Sequence, residues 1–195
     1  MNKLSLDKKD ALLVVDIQND LLEGGALGIK NSGAIVSFIN SYIAIFSQRS
    51  LVIFASQDFH PADHSSFQHM GGPWPVHCVA GSFGAEFSAD LKLPADAIII
   101  SKAVQQDKEA YSAFSGTHLN KQLKKSGIRR LFIGGLATDY CVLHTVKDAI
   151  ALGFAVIVLE DAICAVNLMA EDGNKAKAEM KGLGAMEITL KQLIP

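Results

Sequence analysis

The chain has 195 residues, with 18 Lys and Arg against 20 Asp and Glu, a formal net charge of −2 and a pI near 6.3. That balance excludes the strongly basic surface of a nucleic-acid binder, and 49% hydrophobic against 19% charged residues excludes a disordered chain. The length suits a single domain, expected over residues 1–195, with one sizeable buried core.

Mean hydropathy is +0.24, yet no apolar run reaches the ~18 residues of a membrane span. The first ten residues, Met1 to Asp10, are polar and lack the apolar core of a secretory signal, so the reading is a cytoplasmic chain with neither a membrane nor a nucleic-acid partner. The apolar excess calls for a sheet covered on both faces or for a homo-oligomer interface.

In chain order, strands are expected at 11–15, 51–56, 97–101, 130–134, 155–159 and 187–190. These are continuous Val/Ile/Leu runs rather than alternating ones, as strands buried on both faces require. Helices are expected at 33–48, where Ile35, Phe38, Ile39, Tyr42, Ile43 and Phe46 recur at helical spacing, and at 118–125, 139–152 and 168–181. Thr138 is placed to cap the third helix, and Gly127, Gly153 and Gly182 to end the second, third and fourth. The long interval between the second and third strands is rich in Gly, Pro and His, a composition and length that point to a functional loop. Strand–helix alternation gives an α/β, doubly wound fold: a mostly parallel sheet of about six strands with helices on both faces.

Ligand sites of open α/β sheets lie beyond the carboxyl ends of the strands. Four groups of reactive residues fall there: Asp16, then Asp58 with His60, then Lys102, and Cys141 one turn beyond the fourth strand's LFIGGLA. Taken singly, each is an ordinary turn, solvated or packing residue; together at one sheet edge they form a set. Cys141 in the first turn of a helix would meet unpaired N–H groups and a positive dipole end, which favour a thiolate and could hold an oxyanion. Asp16 is the available proton acceptor and Lys102 the counter-charge, a combination suited to covalent hydrolysis. Cys78 and Cys164 are read as structural, Cys164 as core, and no CxxC pair suggests a disulfide or a thiolate zinc site. Four of the six histidines lie in the long loop, and Asp58-x-His60 with His77 offers a mixed O/N donor set for zinc, iron or manganese.

The motifs Val15-Asp16-Ile17-Gln18-Asn19-Asp20, Asp58-Phe59-His60-Pro61-Ala62-Asp63-His64, Trp74-Pro75-Val76-His77-Cys78, Ser101-Lys102-Ala103, Tyr111-Ser112-Ala113-Phe114 and Gly135-Leu136-Ala137-Thr138-Asp139-Tyr140-Cys141-Val142 run in order along the chain. In them the sequence resembles the nicotinamidase/pyrazinamidase family of the isochorismatase-like cysteine hydrolases. The resemblance implies Cys141 as nucleophile, Asp16 as general base and acid, and Lys102 as their electrostatic partner. It implies an oxyanion hole from the backbone N–H groups of Ala137 and Cys141, with a cis peptide bond before Ala137. It further implies a divalent metal, foremost zinc, on Asp58, His60 and His77, with His64 at or near it, and ring contacts from Trp74 and Tyr111. Leu21 occupies another ring-contact position, where many relatives have Phe. The implied reaction is hydrolysis of nicotinamide to nicotinate and ammonia through a thioester, in NAD salvage, with pyrazinamide a second substrate. The alternative within the superfamily is a cysteine amidohydrolase acting on a ureido or carbamoyl compound.

Overall fold

A computed structural model describes residues 3–194; Met1, Asn2 and Pro195, the ends of the unit expected over residues 1–195, lie outside the described residues. The elements are β1 (Leu4–Ser5), β2 (Asp10–Val15), α1 (Gly33–Gln48), β3 (Val52–Asp58), β4 (Ile98–Lys102), α2 (Leu119–Lys125), β5 (Arg130–Leu136), α3 (Leu143–Ala151), β6 (Ala155–Cys164), α4 (Asp172–Gly182), β7 (Met186–Ile188) and β8 (Leu193–Ile194). Among the described residues, six strands form one parallel sheet in the order β4-β3-β2-β5-β6-β7, and β1 pairs with β8 apart from it. The order of connection reverses between β2 and β5, which creates a crevice at their carboxyl ends.

Every residue of β2 is buried, as its unbroken apolar run requires. Leu12 and Val14 pack with α1 residues Ile39, Tyr42 and Phe46 on one face. Ala11, Leu13 and Val15 pack with residues of α2, α3 and α4 on the other, among them Leu123, Val146 and Met180. The two covered faces absorb the apolar excess. Among the described residues, no helix is long and apolar enough to cross a membrane.

Five local expectations are corrected. Residues Thr138–Val142 form a single π-helical turn before α3, so the third helix is not one regular α-helix from 139. Thr138 does not cap it: Ala137 is the extended residue before the turn and no side chain closes it. The fourth helix starts at Asp172 rather than 168, because Asp172 Oδ2 accepts the Met169 N–H and Glu171 turns left-handed at φ 72°, leaving Leu168 and Met169 exposed. The last strand of the sheet ends at Ile188, where Thr189 and Gln192 form a capping box over the short turn Leu190–Gln192. Cys164, expected in the core, is half-buried at the end of β6, its thiol directed at the Lys30 carbonyl oxygen at 3.5 Å.

Candidate active site

Four strand ends build the site. Asp16 follows β2 in a left-handed conformation (φ 51°), and Asp58 and Lys102 end β3 and β4 as direct register partners. Neighbours in parallel register share a face, so the Lys102 side chain lies beside Asp58. β5 leads through a cis peptide bond between Leu136 and Ala137 into the π-turn that carries Cys141. Gly135 permits β5 to approach β2 at this point: with φ +133°, a Cβ there would lie 2.0 Å from the Val15 carbonyl oxygen.

The Lys102 ammonium is the hub. Its Nζ is 2.5 Å from Asp58 Oδ1, 3.0 Å from Asp16 Oδ2, 3.4 Å from Cys141 Sγ and 3.2 Å from the Ala110 carbonyl oxygen, with a side chain wholly out of solvent. Burial opposes its charge, but Asp16 and Asp58 outweigh burial and hold the pKa well above that of an ordinary lysine. Burial raises the Asp16 carboxyl, Asp58 adds to the effect, and Lys102 opposes it. Ser56 Oγ donates to Asp16 Oδ1 at 2.7 Å, while Oδ2 accepts no well-angled hydrogen bond. Burial also lifts the Cys141 thiol well above its usual value, against the pull of Lys102. Burial thus opposes the thiolate that the helix terminus was expected to favour, while Lys102 favours it.

The second cluster is Asp58, His60 and His77, whose ligating atoms lie within 4.8 Å of one another. Burial alone would raise the Asp58 carboxyl, but Lys102, and after it His60, hold it below its usual value. Burial lowers the His60 imidazole to about 4, so it is neutral near pH 7, and neither of its buried ring nitrogens has a hydrogen-bond partner. His77 Nδ1 is 2.8 Å from the Pro75 carbonyl oxygen, which makes Nδ1 the N–H and leaves the Nε2 lone pair open. Two imidazoles and a carboxylate, one imidazole with unpartnered nitrogens, fit a divalent cation. His64 packs its ring 4.3 Å from that of His60, but its Nδ1 meets Ser66 Oγ at 2.7 Å and its Nε2 the Lys108 carbonyl oxygen at 3.2 Å. It neighbours the cluster without offering it a free nitrogen.

A pocket of about 440 Å³, including its open mouth, joins the two clusters. Cys141, Ala137, Asp58, His60 and His77 line it, together with Leu21, Trp74 and Tyr111. Trp74 Nε1 donates to the Tyr111 hydroxyl at 2.9 Å, and the Trp74 ring meets Tyr140 edge to face at 4.9 Å. The structure thus brings every residue proposed from the sequence to one place. It adds others. The Gln18 side chain donates to the carbonyl oxygens of Asp58 and Ala85 and accepts the Asp58 N–H, locking the backbone beneath the donor set. Asp20 Oδ2 accepts the N–H of Cys78 at 2.8 Å and so steadies the residue after His77. Ser56, Gln18, Asp20 and Tyr140 sit within or beside the sequence motifs, which was a usable signal. Val166, on the loop after β6, lines the pocket with none.

The isochorismatase-domain family model matches residues 10–192. A nicotinamidase of Escherichia coli is 38% identical to this chain, covering 92% of it and 94% of its own length. The pyrazinamidase of Pyrococcus horikoshii, solved in complex with zinc, superimposes with a TM-score of 0.90 at 45% identity, over 93% of this chain and 99% of that one. PnC1 from L. infantum, solved in complex with nicotinate, has a TM-score of 0.90 at 36% identity and 98% coverage of both chains. With the family model matched from the second strand to the last turn, the chain belongs to the isochorismatase domain family.

Proposed function

We propose that this chain is a metal-dependent nicotinamidase, hydrolysing nicotinamide to nicotinate and ammonia in NAD salvage, and that it also takes pyrazinamide. The observation that carries the reading is Lys102, whose single buried ammonium touches Asp16, Cys141 and Asp58 and so ties a cysteine hydrolase set to a metal donor set. The similarity to a nicotinamidase and to a zinc-bound pyrazinamidase supports the substrate and the metal.

Asp58, His60 and His77 would hold the divalent ion, zinc foremost, which when bound supplies a Lewis-acid anchor for the pyridine nitrogen. The ring then lies between Leu21 and the Trp74–Tyr111 pair, with its carboxamide facing Cys141. Asp16 takes the thiol proton as Sγ attacks the carboxamide carbon, and Lys102 holds both groups in register. The oxyanion is received by the N–H groups of Ala137 and Cys141, a donor being worth about 10²–10³ in rate. Asp16 returns the proton to the departing ammonia, leaving a thioester, then deprotonates the water that releases nicotinate. All of these side chains come from one chain; the reading needs no nucleic acid or membrane and places the reaction in the cytoplasm.

The test is ammonia release from nicotinamide, pyrazinamide and a carbamoyl compound by metal-loaded protein and by its Cys141→Ala variant. Nicotinamide turnover by the parent, absent from the folded variant, is the expected result. Turnover of the carbamoyl compound alone, or full activity in Cys141→Ala, overturns the reading.

A further inference from the structure

The loop between β6 and α4 supplies one pocket residue, Val166, yet lacks regular structure of its own. Asn167 is left-handed (φ 53°), Glu171 likewise (φ 72°), and Leu168 and Met169 are exposed by more than 60%. Its position depends on side chains that catch its backbone. Asn167 Oδ1 accepts the Gly173 N–H at 2.9 Å and Asp172 Oδ2 accepts the Met169 N–H at 2.9 Å, both of which join the loop to α4. Across the pocket side the bonds come from Asp139: one carboxylate oxygen accepts the Val166 N–H at 2.9 Å and the other the Asn167 N–H at 2.8 Å. Asp139 belongs to the π-turn and is separated from Cys141 by Tyr140, which lines the same pocket.

We infer that Asp139 is a positioning residue for substrate binding. Its carboxylate clamps Val166 as one wall of the ring pocket without taking part in the reaction. Two adjacent N–H groups on one carboxylate form a charge-assisted pair with fixed geometry. Cys141 does not depend on this pair: its turn is closed by the Tyr140 and Val142 N–H groups on the Ala137 carbonyl oxygen, and its sulfur is held from β4 by Lys102. Loss of the clamp should therefore loosen the ring wall and leave the reacting groups in place. A weaker hold on the ring in ground state and transition state alike raises KM and spares kcat.

This inference rests on the nicotinamidase reading, and steady-state kinetics of the metal-loaded enzyme on nicotinamide test it. Asp139→Ala is expected to raise KM about five- to tenfold, the loss of one to two hydrogen bonds, with kcat within about threefold of the parent. Val166→Ala should raise KM on its own, and Asp139→Ala/Val166→Ala should be no worse than the more impaired single variant, since both remove the same wall. Asp139→Asn turns an amide N–H toward one backbone N–H and should raise KM as well, which keeps the test open where the alanine variant fails to fold. A fall in kcat at constant KM, a lowered melting temperature with unchanged KM, or additive effects in the double variant would overturn the inference. A parent protein inert toward nicotinamide would instead overturn the reading on which it rests.

Discussion

Lys102→Met is the substitution with the largest consequence that the structure allows to be worked out in advance. Met has a flexible unbranched chain that fills much of the lysine volume, so the change isolates the charge. The lysine side chain has no solvent exposure, and its ammonium lies 3.0 Å from Asp16 and 2.5 Å from Asp58. With it gone, two buried carboxylates face each other without a cation. Breaking a buried ion pair on one side costs about 3–5 kcal/mol, because the remaining charge keeps its desolvation penalty and loses its attraction. At about 2–4 °C per kcal/mol for a chain of this size, the melting temperature should fall by about 6–20 °C. Thermal unfolding followed by far-ultraviolet circular dichroism, on chelator-treated protein so that no dication substitutes for the ammonium, measures it. Adding Asp58→Asn removes one of the stranded charges and should recover part of the loss, while ammonia release stays abolished in both variants. A melting temperature for Lys102→Met within about 2 °C of the parent, less than 1 kcal/mol for this size, would refute the electrostatic account of the site.

Two further outcomes are expected. His60→Ala gives up no protein hydrogen bond, since neither ring nitrogen has a partner, so it should fold yet lose divalent-metal binding in equilibrium dialysis and lose activity; chelation of the parent should do the same, reversed by added zinc. Gly135→Ala should lose more than about 4 kcal/mol in urea unfolding, because its Cβ would meet the Val15 carbonyl oxygen and both backbones are held in the sheet.

The parallel strands were legible because each is covered on both faces and therefore reads as an unbroken apolar run; β2, β5 and the first half of β6 fall where expected within a residue or two. The reactive residues were legible for a related reason. Charged or polar groups that end such runs stand out, and Asp16, Asp58 and Lys102 all do so. What escaped depends on interactions between distant segments. Leu168 and Met169 look like the apolar side of a helix start, but Asp139 catches the Val166 and Asn167 N–H groups and Asp172 that of Met169, which makes the stretch a loop. Nothing local to Val166 marks it as a pocket residue; the Asp139 clamp from 27 residues earlier places it there. His64 stood beside the donor set in sequence, and only the positions of Ser66 and Lys108 reveal that its nitrogens are engaged. Two-residue strands such as β1 and β8 carry too little pattern to be read at all.

The opposition of burial to a Cys141 thiolate bears directly on the proposed chemistry. A thiolate in this site would lean on the Lys102 ammonium and the π-turn N–H groups, and burial of Cys141 opposes it. Transfer of the proton from Sγ to Asp16 changes no net charge: the negative charge moves from one neighbour of Lys102 to another, over a few ångströms, with the ammonium 3.0 Å from the oxygen and 3.4 Å from the sulfur. The desolvation cost of either arrangement is therefore nearly shared, and the energy of the step is set by the difference between two contacts to one cation. Burial pushes both groups toward their neutral forms, and Lys102 pulls both toward their charged forms, so the same two influences act on donor and acceptor alike. Asp58, held below the ordinary carboxylate range by Lys102 and the imidazoles, stays out of that exchange and is left as a carboxylate of the proposed metal donor set. Two aspartates in contact with one lysine thus acquire different roles because of their other neighbours, Ser56 and the thiol for Asp16, His60 and His77 for Asp58.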